Sequence, residues 1–279
     1  MIRGPLRSTF NRVAGNVRLI KQLPAVFAGR RVVVTPRAYL RYWTHSLQSI
    51  HSDILAVIDR TVRPGDCLWD IGANVGVVTF AAAQRVGTTG AVLSVEPDVD
   101  LCSLLHRSRR LARPQEAPID ILPVAVADTV GIARFDVSTH GSTTSALGGY
   151  GRFNGVLTTR TVPTVTLDWL TGHFRPPTFL KIDVEGAELL VLRGGSAVLE
   201  THRPTILCEV GQDVAVEVGT LLRTHGYLLL DARRVAAGPL GSTDPIPEEL
   251  LAFPSERPPA QVGTCGDASR PETTAARPC

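Results

Sequence analysis

Asp70-Ile71-Gly72-Ala73-Asn74-Val75-Gly76 is the stretch from which the fold is read. It ends an apolar run that begins at Cys67 and opens into a helical pattern that continues to Arg85. A strand that turns through glycines into a helix leaves free helix amides beside a loop that a ligand can approach closely. The dinucleotide pattern Gly-x-Gly-x-x-Gly would need glycine at position 74, where asparagine stands. A carboxylate at Asp70 would repel a pyrophosphate and suits an amino group or another cation. The loop therefore points to a nucleotide-type ligand that carries positive charge.

Around this loop, short apolar runs alternate with helical segments. Cys67–Ile71, Ala91–Val95, Ile119–Ala127, Phe179–Val184, Pro204–Val210 and Tyr227–Leu230 read as strands. Helices are expected over Val75–Arg85, from Asp98 to about Leu111, from Ala187 to about Glu200, and over Val214–Thr224. Strands that are apolar throughout belong to a parallel sheet covered on both faces. Right-handed crossovers then favour a doubly wound α/β fold. Residues 128–178 break the rhythm: Ile132–Val137 and Thr159–Thr166 alternate in part and are joined by a Gly/Ser/Thr-rich loop, which predicts an inserted hairpin or loop excursion.

The ends read differently. Residues 1–60 form a basic lead-in that is partly helical, with apolar residues at helical spacing from Leu47 to Ile58. It has no acidic residue before Asp53 and no long apolar run, so neither a signal peptide nor a membrane span is expected. Its charge allows peripheral contact with an acidic membrane surface. Residues 61–240 form the α/β domain, and the proline-rich stretch 241–279 reads as a disordered tail. The chain's net charge of +3 gives no ground for a nucleic-acid partner. Five cysteines without a Cys-x-x-Cys pair fit a reducing, cytoplasmic setting.

Acidic residues mark the strand ends. Glu96, about twenty residues beyond the loop, stands where a carboxylate accepts ribose hydroxyls. Asp128 ends the third strand, within reach of a base ring or capping a turn. Asp183, Glu185 and Glu188 surround the end of another strand, and Glu209 ends the next. If those two strands are neighbours, Asp183 and Glu209 share one crevice. Two carboxylates are too few to assign a metal site, so none is expected. Lys181 lies two residues before Asp183, on the same side of its strand.

Seven segments occur in this order: Asp70–Gly76, Ser94–Pro97, Ala125–Asp128, Val165–Trp169, Lys181–Glu188, Leu192–Gly195 and Arg203–Glu209. In them the chain resembles the FkbM family of S-adenosylmethionine-dependent methyltransferases. The resemblance implies a class I methyltransferase (Rossmann-like) fold: a doubly wound, mostly parallel seven-stranded sheet with one antiparallel strand near its edge. It implies that Asp70, Gly72, Asn74 and Gly76 hold the methionyl part of S-adenosyl-L-methionine, with Glu96 at the ribose and Asp128 near the adenine. It also implies O-methylation of a hydroxyl on a polyketide, sugar or other secondary metabolite. The acceptor is then a small molecule or glycoside, free or carrier-bound. Removal of the hydroxyl proton calls for a general base. Asp183 and Glu185 are the first candidates, followed by Glu209 and by His140 in the inserted loop. The alternatives are a non-catalytic binding module on the same fold and a nicotinamide-dependent oxidoreductase.

Overall fold

A computed structural model describes residues 17–138, 145–151, 155–234, 239–241 and 244–258. Its centre is a seven-stranded sheet. The strands are β3 (Cys67–Ile71), β4 (Ala91–Val95), β5 (Ile119–Leu122), β10 (Phe179–Ile182), β11 (Thr205–Glu209), β12 (Tyr227–Asp231) and β13 (Glu249–Pro254). They lie in the order β12-β13-β11-β10-β3-β4-β5. All neighbouring pairs are parallel except those of β13, which runs antiparallel to both β11 and β12. This is the class I methyltransferase arrangement.

Alternation along each strand divides the core in two. Leu68, Val92, Phe179, Leu207 and Leu251 enter one apolar layer; Trp69, Leu93, Leu180, Ile206 and Leu250 enter the other. Helices α2 (Ser52–Thr61), α3 (Val77–Val86) and α4 (Val99–Arg109) pack into the first layer. Helices α5 (Leu167–Thr171), α6 (Glu188–Arg193) and α7 (Ala215–Thr224) pack into the second. Both faces are covered, which is why these strands carry no polar alternation. Cys67, Cys102 and Cys208 are buried here as free thiols.

The inserted region forms its own sheet, ordered β6-β9-β7-β8, from β6 (Ala125–Val126), β7 (Gly131–Ser138), β8 (Ala146–Leu147) and β9 (Val156–Val165). The expected third strand is thus two: after Leu122 the chain leaves the main sheet, and Ala125–Val126 pairs with Thr164–Val165 instead. Arg160 clamps the insert to the start of α4, with its guanidinium 2.6 Å from Asp98 Oδ1 and 2.6 Å from Asp100 Oδ2.

Three expectations change. The N-terminal lead-in, expected to be partly helical, also holds strands. It contributes a hairpin of β1 (Leu19–Gln22) and β2 (Arg31–Val34), and buried Arg30 pairs with Glu116 at 2.7 Å. The Leu47–Ile58 helix is interrupted at His51, separating α1 (Leu47–Ile50) from α2. The helix after Ala187 ends at Gly194, where a Cβ would lie 2.2 Å from the carbonyl oxygen of Ala127. Asp168 then accepts the amides of Ala197 and Val198, restarting the chain as a single wide turn at Val198–His202. Finally, the sheet does not end at residue 240. Glu249–Pro254, read as part of the tail, fills the gap between β11 and β12; prolines 245 and 247 precede it, and Pro254 is its last residue, opposite Tyr227.

Candidate active site

A cavity of about 470 Å³ opens at the carboxyl ends of β3, β4, β10 and β11, where open α/β sheets hold their ligands. One wall is the loop after β3. Gly72 has φ +76°, and a Cβ there would sit 1.8 Å from the carbonyl oxygen of Asp183. The close approach that glycine permits is therefore between two strand ends of the protein itself. Ile71 carbonyl accepts the Asp183 amide at 3.1 Å, and Gly72 and Ala73 amides donate to Val95 at 2.9 and 3.0 Å. Asn74 takes a left-handed φ of +52°, which asparagine tolerates better than most residues. Its Oδ1 is buried and has no hydrogen-bond partner among the described residues.

Glu96 is buried behind this loop. One carboxylate oxygen accepts the Asn74 amide and the other the Asp98 amide, each at 2.8 Å. Burial pushes Glu96 up to about 7 even though both amides favour its charged form. Each oxygen keeps a lone pair beyond the one its amide occupies, and Glu96 lines the cavity.

Asp70 does something other than line the site. It is fully buried. Thr79 Oγ1 donates to its Oδ2 at 2.6 Å, and Lys181 Nζ lies 3.0 Å from its Oδ1. The two residues are register partners on adjacent strands, so a carboxylate and an ammonium meet inside the sheet. Asp70 is thus paired with a cation of the protein and is not among the residues that line the cavity. Lys181 also donates to the Gly72 carbonyl at 2.6 Å and lies 3.4 Å from Asp183 Oδ2. Burial works against its ammonium, but Asp70 and then Asp183 outweigh burial and hold the pKa above its ordinary value.

Two further residues expected at the cofactor do not line the cavity. Gly76 caps α3 and packs inward: a Cβ there would be 2.5 Å from Leu105 and 2.6 Å from Phe80. Asp128 is exposed and away from the cavity, because the chain has already left the main sheet at Leu122. What the third strand end presents instead is Val124, Ala125 and Val126. His140 lies outside the described residues.

The opposite wall is acidic. Asp183 and Glu185 line it, with Glu185 at φ +57° in the turn before α6. Glu209 stands on the neighbouring strand, one position past the register pair Ile182↔Cys208, and faces Glu249 across β13. The adjacency of Asp183 and Glu209 that the sequence left conditional is thus met. Repulsion from Asp183, then burial, pushes Glu209 up to about 7.

The N-terminal segment supplies residues that the sequence reading passed over. Tyr39, Tyr42, His51 and Asp53 line the cavity beside this acidic wall. Tyr42 hydroxyl and His51 Nε2 share a hydrogen bond of 3.0 Å. Burial, then Lys181 and Arg41, lowers His51 to about 4, so it is neutral at physiological pH. The apolar spacing runs through His51 without a break, so no local signal in the sequence marked it.

A strand-end cavity on a sheet of this order, with a glycine loop on one side and carboxylates on the other, defines a class I methyltransferase. The chain belongs to the methyltransferase FkbM domain family, whose model matches residues 70–229. The nicotinamide-dependent alternative is thereby set aside. The chain is similar to the hexuronic acid methyltransferase AglP of Haloferax volcanii, with 27% identity over 152 residues. The match takes in 53% of this chain and 58% of that protein, so this chain spans little more than half of the relative's length. Similar solved structures include an FkbM methyltransferase from Methylobacillus flagellatus (18% identity, 67% of this chain, 43% of that one, TM-score 0.42). Another is Aeropyrum pernix fibrillarin with bound S-adenosyl-L-methionine (14% identity, 85% of this chain, 82% of that one, TM-score 0.40).

Proposed function

We propose that the chain transfers the methyl group of S-adenosyl-L-methionine to a hydroxyl of a sugar or other hydroxylated small molecule. The observation that carries this reading is the pairing of Asp183 with Glu209 at one end of a cavity whose other end is the Gly72–Asn74 loop. The loop side suits the cofactor. The unpartnered Asn74 Oδ1 offers an acceptor to its ammonium, and the spare lone pairs of Glu96 offer acceptors to its ribose. Val124, Val126 and Leu147 offer an apolar surface for its base ring. Asp70 acts indirectly, by anchoring Lys181.

When bound, the cofactor would supply a methyl group on a sulfonium, with the neutral thioether as leaving group when an acceptor oxygen attacks the methyl carbon in line. The protein's own task is to position and deprotonate that oxygen. Glu209 is pushed up to about 7 by the neighbouring Asp183 carboxylate and by burial, so a carboxylate of this wall is available as a base at neutral pH. The hydroxyl proton passes to a carboxylate oxygen of this pair. Lys181 holds Asp183 in place. A sugar acceptor also accords with the activity of the hexuronic acid methyltransferase relative.

The test is Asp183→Asn. Transfer of radiolabelled methyl to an extract of the producing cells should fall at least about 100-fold, the usual scale for a lost general base. Calorimetric binding of S-adenosyl-L-methionine should stay within about threefold, since a uniform loss of binding would mark a different role. Turnover near that of the parent would overturn the assignment, and failure of the parent itself to bind the cofactor would overturn the reading as a whole.

A further inference from the structure

Charge is divided unevenly along the chain. Nine of the 29 Lys and Arg residues and none of the 26 Asp and Glu residues precede Asp53, so the remainder is net negative. Within the described part of this cationic segment, large apolar side chains face water. Leu40 is 55% exposed and Trp43 54%, on one turn, Leu40–Trp43. The neighbouring Tyr39 and Tyr42 point the other way and line the cavity. Arg41, between Leu40 and Trp43, is exposed with its guanidinium 6.0 Å from the Tyr39 ring centroid. The hairpin of the same segment exposes Ile20 at 57% and Val26 at 51%.

A solvated face explains arginines, but it does not explain a tryptophan and a leucine beside them. An indole at the headgroup level, an aliphatic chain below it and guanidinium groups reaching phosphates are the composition of a membrane-surface anchor. The absence of any acidic residue in the segment removes the repulsion that an anionic leaflet would otherwise exert. We propose that the Leu40–Trp43 turn docks this protein on an anionic lipid bilayer. The turn that touches the bilayer is then also a wall of the cavity, and an acceptor carried at the membrane surface meets the active site directly.

The experiment is co-sedimentation of the full chain with vesicles of phosphatidylcholine alone and of phosphatidylcholine with 30 mol% phosphatidylglycerol (about a third anionic lipid, as in charged leaflets). Binding should require the anionic lipid. The double variant L40S/W43S should lose about tenfold or more in partitioning, because two exposed apolar anchors are removed. Arg41→Glu should lose at least about fivefold, because it removes one attractive charge near the surface and adds a repulsive one. Unchanged far-UV circular dichroism and melting keep these losses from being misread as unfolding. Failure of the parent to bind anionic vesicles would overturn the proposal. So would binding that survives L40S/W43S yet disappears in high salt, which would mark the segment as a purely electrostatic surface suited to an acidic protein.

Discussion

The two walls of the cavity are built on opposite principles. The loop wall, Gly72–Asn74 with Glu96, is held by backbone: amide hydrogen bonds to Val95, a carbonyl pressed against Gly72, and amides closing on both oxygens of Glu96. The acidic wall is held by side chains from distant segments: Asp183, Glu209, Glu249, and the Tyr42–His51 pair from the N-terminus. The first leaves little room for variation, and the second tolerates substitution at its tips. Lys181 joins them, reaching Gly72 on one side and Asp183 on the other.

This contrast is most sharply broken at Gly72. Gly72→Ala adds a left-handed backbone strain and a methyl 1.8 Å from the Asp183 carbonyl. A loss of about 4 kcal/mol or more is expected, from strain and overpacking together. Thermal melting reads it, and a melt within a few degrees of the parent would show that the loop wall yields more than its geometry implies.

Next in size is the link. Lys181→Met leaves Asp70 as a buried carboxylate with only Thr79 donating to it. About 3 kcal/mol of stability should be lost in urea unfolding, at the lower end for a broken buried pair because Thr79 remains. Adding Asp70→Asn should recover part of the loss. If the double variant is no better than the single one, Lys181 acts by packing rather than by charge.

Glu209→Gln tests the acidic wall and should move stability least. Glu209 has a raised folded pKa, so between about 4.5 and about 7 the folded state binds more protons than the unfolded state. Stability therefore falls as pH rises through that window. The variant should remove this fall at Glu209 and melt slightly higher at pH 8. The gain should be under about 1 kcal/mol, because the residue is exposed at the cavity mouth and water screens the repulsion. The larger signature is kinetic: the rise of kcat/KM through about pH 7 should be lost once the titrating Glu209 carboxyl is replaced by an amide. An unchanged profile would assign the base elsewhere.

The same contrast explains what could be read from the residues alone. Cys67–Ile71 and Ala91–Val95 are apolar throughout because both faces of the sheet are covered, and their limits were legible to the residue. The loop wall was legible for the same reason: its motif is local. Asp70 was read as facing a ligand because its partner, Lys181, lies 111 residues away, and only pairing across strands brings them together. Asp128 was placed by assuming that Ile119–Ala127 is one strand, which Pro123 and the insert's competing sheet prevent. Tyr42, His51 and Glu249 carry no motif, and their positions follow from long-range packing.

The late strand β13 has a consequence for how the molecule is made. On the ribosome, β11 and β12 emerge with no hydrogen-bonding partner for each other, since the strand that joins them is still to be synthesised. Only when Glu249–Pro254 threads antiparallel between them does β12 gain its ladder and Glu249 arrive opposite Glu209. The edge of the sheet and the acidic wall are therefore completed in the same late event, and until then β11 presents an open strand edge to every neighbouring chain.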